Sequence, residues 1–134
     1  LADIRLDSRS IMAALLHDIG DMLAPLSHSE MAAAVLRPFV TEKTYWIIKH
    51  HGMFQMFYYA HHRGGDRNVR DRFMDHPWYV DTVRFCEEYD QNCFDPEYRH
   101  EPLEFFEPMV RRLFRHDNAS GDEIAARPDT EQAA

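Results

Sequence analysis

Histidines and aspartates in apolar surroundings are the residues of this sequence whose types and spacing indicate chemistry. His17-Asp18 follows the apolar run 12–16, so we expect both polar side chains to be buried and to need partners. Adjacent residues on a helix point ~100° apart, so the two side chains can approach one centre from neighbouring directions. An imidazole supplies a neutral nitrogen ligand, and a carboxylate can bridge two cations and compensate their charge. The pair therefore indicates a metal site.

Three further positions fit such a site. His28 stands at the start of a predicted helix, where the alternative is an ordinary surface residue. His50 and His51 are flanked by apolar residues, and we expect one of them to face the core. Asp90 ends an apolar helical face, where an aspartate is costly unless it is paired or coordinates an ion. The other histidines fall in loops or among charges, and we interpret them as surface residues: His61, His62, His76, His100 and His116.

The segments that must position these residues are predicted to be helical nearly throughout, so the fold class is all-α. Caps, helix-stopping residues and apolar periodicity predict helices over 9–18, 31–37, 42 onward with a possible bend at Gly52, 66–74, 78–90 and 103–114. The expected capping groups are Ser27, Thr41 and Asp66, with Pro77 at a first helical position. Residues 1–115 form one predicted domain, and 116–134 a disordered acidic tail.

Composition restricts the partners. The net charge of −8 argues against nucleic acid, which needs a basic face. No apolar run approaches the ~18 residues that span a bilayer. If Cys86 and Cys93 share a helix, their Cα atoms lie roughly 10 Å apart, too far for a disulfide. We therefore expect reduced thiols and a cytoplasmic location.

Two segments carry a family resemblance. Residues 14–20, Ala-Leu-Leu-His-Asp-Ile-Gly, resemble the signature of the HD superfamily of helical metal-dependent phosphohydrolases and oxygenases. Residues 88–96 resemble the segment that carries the last metal ligand in the phosphonate-cleaving HD di-iron oxygenases. Myo-inositol oxygenase is a more distant relative by the same resemblance. The resemblance spans 9–115 and implies a compact HD-domain bundle. It also implies a two-metal ligand set in this order: His17, Asp18, His28, His51 and Asp90.

The resemblance also implies roles around the metals and marks departures from the family. The family's first histidine ligand would fall before Leu1, so the chain is expected to be truncated relative to the family. Asp21 stands where the phosphonate oxygenases tend to have a substrate-contacting histidine, and Gln55 where they tend to have a lysine. A neutral donor at 55 fits a less charged substrate. We expect Asp21, Gln55 and His50 on the substrate side, with His51 as the metal ligand of its pair.

Three functions follow as alternatives. The first is a di-iron oxygenase that uses O₂ to oxidise a small hydroxylated substrate, such as a phosphonate or a polyol. Asp18 and His51 would be its catalytic residues. Mn²⁺ or another divalent metal could replace iron. The second is a phosphohydrolase, disfavoured because only Lys49 and Arg37 are expected near the site to neutralise a phosphate. The third is a non-catalytic regulatory domain, which the missing first histidine and an aromatic cluster would support if the cluster were exposed: Phe54, Phe57, Tyr58 and Tyr59. Aromatic residues at helical spacing more often belong to the core, which is the alternative for this cluster. The sequence leaves the oligomeric state open.

Overall fold

The computed structural model describes residues 8–115, and within them every regular element is helical, which confirms the all-α fold class. The predicted tail, 116–134, lies outside these residues. No helix within them is both long and apolar enough to cross a bilayer. Five α-helices are present: α1 Ser8–Leu16, α2 His28–Leu36, α3 Glu42–Tyr59, α4 Tyr79–Phe85 and α5 Leu103–Leu113. Shorter turns are 3₁₀ at Arg37–Phe39, Ala60–Arg63, Val69–Phe73 and Gln91–Phe94, and a π turn at Cys86–Asp90.

Small residues on α2 allow the central helix pair to form. Ala32 and Ala33 are fully buried where α2 packs on α3, and this is the most extensive contact between two elements. Met12 of α1, Leu36 of α2 and Ile48 of α3 complete the core with Leu113 of α5. A helix pair packed through alanines brings its backbones close together. The first turn of α2 therefore lies against the middle of α3.

Several predicted helix boundaries were wrong. Helix α1 ends at Leu16, not at 18, because Ile19 N–H donates to Leu16 O and starts a series of turns. Helix α2 begins at His28, three residues early, and Ser27 makes no side-chain cap hydrogen bond. Helix α3 continues as one element past Gly52.

The predicted helix caps and the predicted helix over 78–90 agree with the structure only in part. Thr41 caps α3 by accepting from Thr44 N–H at 3.2 Å, as predicted. The predicted helix over 78–90 is α-helical only at Tyr79–Phe85 and continues as the π turn. Its N-cap is Trp78, so Pro77 precedes the helix and does not occupy the first helical position that was predicted for it. Asp66 accepts from Asn68 N–H in a turn rather than capping a helix.

The burial of two aromatic side chains bears on the sequence interpretation. Phe54 is fully buried against Trp46 and Phe73, so it belongs to the core, as aromatic residues at helical spacing commonly do. The interpretation of His76 as a surface residue was wrong. His76 stacks on the Trp46 ring with centroids 4.0 Å apart and is half-buried. His61, His62 and His100 are exposed as expected, and His116 lies outside the described residues.

Candidate metal centre

The turn that follows α1 presents His17 and Asp18. His17 is 5% exposed, whereas the Asp18 side chain is 44% exposed, so one residue points into the protein and the other lies at the surface of the site. Gly20 follows closely, and a Cβ there would lie 2.8 Å from His28 O. The absence of a side chain at 20 therefore lets the start of α2 rest on the turn that carries Asp18.

A first triad of ligand-type atoms forms where this turn meets α2 and α3. His28 is the first residue of α2, and His51 lies in the middle of α3 and is 1% exposed. Their Nε2 atoms are 3.2 Å apart. Asp18 Oδ1 lies 3.1 Å from His51 Nε2 and 3.5 Å from His28 Nε2.

A second triad uses the other oxygen of the same aspartate. Asp18 Oδ2 lies 3.0 Å from His17 Nε2, and Asp90 Oδ1 lies 3.6 Å from that nitrogen. Asp90 is 5% exposed and is the last residue of the π turn. The structure thus brings together all five residues of the expected ligand set, with Asp18 common to both triads.

The separations and the unpaired atoms of these triads fit metal ions. Two atoms bonded to one ion at ~2.1 Å lie ~3.0 Å apart at a right angle and ~3.4 Å apart at a tetrahedral angle. Within the described residues, Asp90 Oδ2 is buried without a hydrogen-bond partner, a cost that a bound cation would remove. Two other combinations also bring three ligand-type atoms within 4.8 Å of one another: His17, Asp18 and His51, and Asp18, Asp21 and His28.

Backbone carbonyls orient two of the imidazoles for ligation. His17 Nδ1 donates to Ala14 O at 2.6 Å, and His51 Nδ1 donates to Ile48 O at 2.6 Å. In the neutral imidazole that a metal ion would require, a proton held at Nδ1 would leave the Nε2 lone pair directed into the triads. Metal-binding histidines are commonly fixed by such a bond from the other ring nitrogen.

The charges in the site favour a buried ion-pair cluster when no cation is bound. Burial alone would lower the pKa of His17, but the adjacent carboxylates of Asp18 and Asp90 raise it to about 10. Burial alone would raise the pKa of Asp18, but contacts with His17 and His51 hold it well below its usual range. His17 is therefore protonated at neutral pH in the metal-free protein, and Asp18 is ionised.

Gln55 joins a hydrogen-bond network beside the triads. It is 8% exposed, one turn beyond His51, and its Oε1 accepts from Gln91 Nε2 at 2.7 Å. Gln91 Nε2 also donates to the Tyr59 hydroxyl at 3.0 Å. Gln91 directly follows Asp90, so the network links α3 to the segment that carries this ligand. Sequence reasoning missed Tyr59 and Gln91, although Tyr59 stands four residues after Gln55 on the same helical face.

The other two residues expected on the substrate side lie differently. Asp21 is exposed, and its Oδ1 lies 3.5 Å from His28 Nδ1. His50 Nδ1 donates to Trp46 O at 2.8 Å, and its ring stacks on that indole with centroids 4.1 Å apart. His50 contributes no atom to either triad.

A cleft of about 980 Å³ opens beside the first triad, and His28 and His50 are both on its wall. Three cationic side chains share that lining, from α3 and the segments that follow it: Lys49, Arg63 and Arg72. The sequence did not predict Arg63 and Arg72 near the site, because their spacing along the chain does not relate them to the histidines. The expectation that only Lys49 and Arg37 lie nearby was wrong.

Comparison with known proteins does not assign a function to these residues. The chain matches no family model, no curated protein and no solved structure. The donor set and its geometry are therefore the basis for any functional proposal.

Proposed function

We propose that the chain is the helical core of an HD-type enzyme with two metal ions, a di-iron oxygenase that oxidises a small hydroxylated substrate. The observation that best supports this proposal is that the Asp18 carboxylate takes part in both triads. Asp18 approaches His28 and His51 through Oδ1 and His17 through Oδ2. A carboxylate that binds two cations through its two oxygens has this arrangement.

The ligand types support iron. His28, His51 and Asp18 would hold one ion, and His17, Asp90 and Asp18 the other. Mixed imidazole and carboxylate ligation suits iron, and two irons would supply activation of O₂ and binding of a substrate hydroxyl. Mn²⁺ or another divalent metal fits the same donors.

The surrounding residues support binding of a small hydroxylated anion, such as a phosphonate. The partial exposure of Asp18 leaves a solvent-facing side to the site, and His28 of the first triad lines the neighbouring cleft. Lys49, Arg63 and Arg72 on that lining can attract and orient a negatively charged group. Buried Gln55 and half-buried Gln91 can exchange their mutual hydrogen bond for one to a hydroxyl. Free Cys86 and Cys93 support the cytoplasmic location that is part of this proposal.

A phosphohydrolase is the second candidate, and the same cationic cleft favours it. Paired divalent ions can activate water against a phosphate ester, and Lys or Arg neutralises the developing charge. The argument against hydrolysis rested on a lack of nearby cations, and Arg63 and Arg72 remove that argument.

Metal analysis and two activity assays test the proposal. The chain produced with iron should contain two irons and consume O₂ with hydroxylated phosphonates or polyols. Release of inorganic phosphate from phosphate monoesters by the Mn²⁺-loaded chain, without O₂ uptake by the iron form, would instead establish the second candidate. If the chain binds no metal, the non-catalytic regulatory domain is the remaining hypothesis.

A further inference from the structure

A buried serine lies between the two ligand-bearing helices. Ser29 is 6% exposed and follows His28 in the first turn of α2. Its Oγ accepts from Gly52 N–H of α3 at 3.2 Å and lies 3.2 Å from His28 Nε2. Gly52 directly follows His51. One hydroxyl therefore contacts a ligand of the first triad and the backbone next to another.

Gly52 makes this contact possible. A Cβ at position 52 would lie 2.5 Å from Ser29 Oγ and 3.2 Å from His28 Cε1, so any larger residue would displace the side chains of Ser29 and His28. Glycine is a poor helix former, yet this one stands within the 18-residue helix α3. Its φ is not positive, so backbone conformation does not require it. The close approach of Ser29 and His28 provides the physical reason for glycine here.

We propose that Ser29 and Gly52 form a tether that positions His28 against His51, and that this tether sets the affinity of one of the two metal ions. The inference rests on the proposed function. Gly52 N–H donates to Ser29 Oγ independently of the His28 lone pair, so the tether is compatible with ligation by His28. Within residues 8–115, the Ser29 hydroxyl bonds to His28 and Gly52 and not to His17 or Asp90, so the second triad should not depend on it.

Titration of the full metal-free chain with Mn²⁺, followed through the EPR signal of free Mn²⁺, tests the tether. The wild type should bind two ions. Ser29→Ala should weaken one of them by ~10–100-fold, as loss of a group that orients a ligand typically does, and leave the other unchanged. Gly52→Ala should weaken the same ion, because its Cβ displaces Ser29 and His28.

Matched controls separate this effect from general loss of packing. Thr82→Val removes another buried hydroxyl, which donates to the carbonyl oxygen of Trp78, the N-cap residue of its own helix. Gly65→Ala adds a methyl group away from the site, 3.3 Å from Ala60 O. Both controls should bind two ions as the wild type does. Unchanged binding in Ser29→Ala, or equal weakening of both ions, would overturn the tether.

Hydrogen exchange of the metal-free protein keeps the test independent of the proposed function. The Gly52 amide should exchange faster in Ser29→Ala than in the wild type, while the Phe54 amide two residues on keeps its rate. If the wild type binds no Mn²⁺ but this difference is observed, the proposed function fails and the tether remains. An unchanged Gly52 rate overturns the tether itself.

Discussion

Replacing Asp18 by asparagine should abolish the binding of both metal ions, whereas Asp90→Asn should abolish only one. Asp18 contributes one oxygen to each triad, whereas Asp90 belongs to the second triad alone, with its Oδ1 3.6 Å from His17 Nε2. Asparagine keeps the shape but has a single oxygen and no charge, so it cannot bridge two cations. The two substitutions are therefore predicted to differ by one whole ion.

The expected size of the effect follows from binding linkage. At a metal concentration 100 times Kd, each independent ion stabilises the fold by ~2.7 kcal/mol, and two ions by ~5.4 kcal/mol. For a domain of this size, 1 kcal/mol corresponds to ~4 °C in Tm. Mn²⁺ should thus raise the Tm of the wild type by ~20 °C, of Asp90→Asn by ~10 °C, and of Asp18→Asn hardly at all.

Thermal unfolding followed by circular dichroism, with and without Mn²⁺, measures these differences. Because each variant is compared with itself, any change in metal-free stability cancels. Asp81→Asn is the control: it breaks an exposed ion pair with Lys43, 2.8 Å long, and should keep the full rise. A full metal-induced rise in Asp18→Asn, or an equal loss in Asp90→Asn, would refute the shared-carboxylate reasoning.

Three further predictions follow. His51→Ala should empty at least one metal site, whereas His50→Ala should cost stability or activity and retain both ions, because His50 is held by Trp46 outside the triads; the reverse metal contents would exchange the roles. Since the pKa of His17 is about 10 in the metal-free protein, metal binding at pH 7 should release its proton, and metal affinity should rise about tenfold per pH unit up to pH 10. Calorimetry in buffers of different ionisation enthalpy would detect the released proton. Metal binding without proton release would contradict the raised pKa of His17. Deleting 117–134 should leave Tm within ~2 °C, because the segment has no apolar periodicity; a loss of several degrees would show that it docks on the domain.

The sequence determined the helical class and singled out the five residues that the structure brings together. Apolar periodicity recurs at helical spacing, and the polar residues that interrupt it at His17, His51 and Asp90 are costly to bury alone. Each of these signals is local: the residue type, its neighbours and its helical phase can be read without knowing what lies opposite. The cap at Thr41 and the helix at Leu103–Leu113 followed from the same local chemistry.

Tertiary structure decided which local features meet. Helical phase left His50 and His51 nearly equivalent, and the packing of α2 on α3 placed His51 in the triad and His50 against Trp46. The π turn that carries Asp90 is a change of backbone register that side-chain periodicity does not encode. Ser29 acquires its role only because α3 presents a glycine opposite it, and Arg72 reaches the cleft only through the fold. Contacts between residues distant in the chain depend on the summed packing of whole helices, so no spacing along a single helix could specify them.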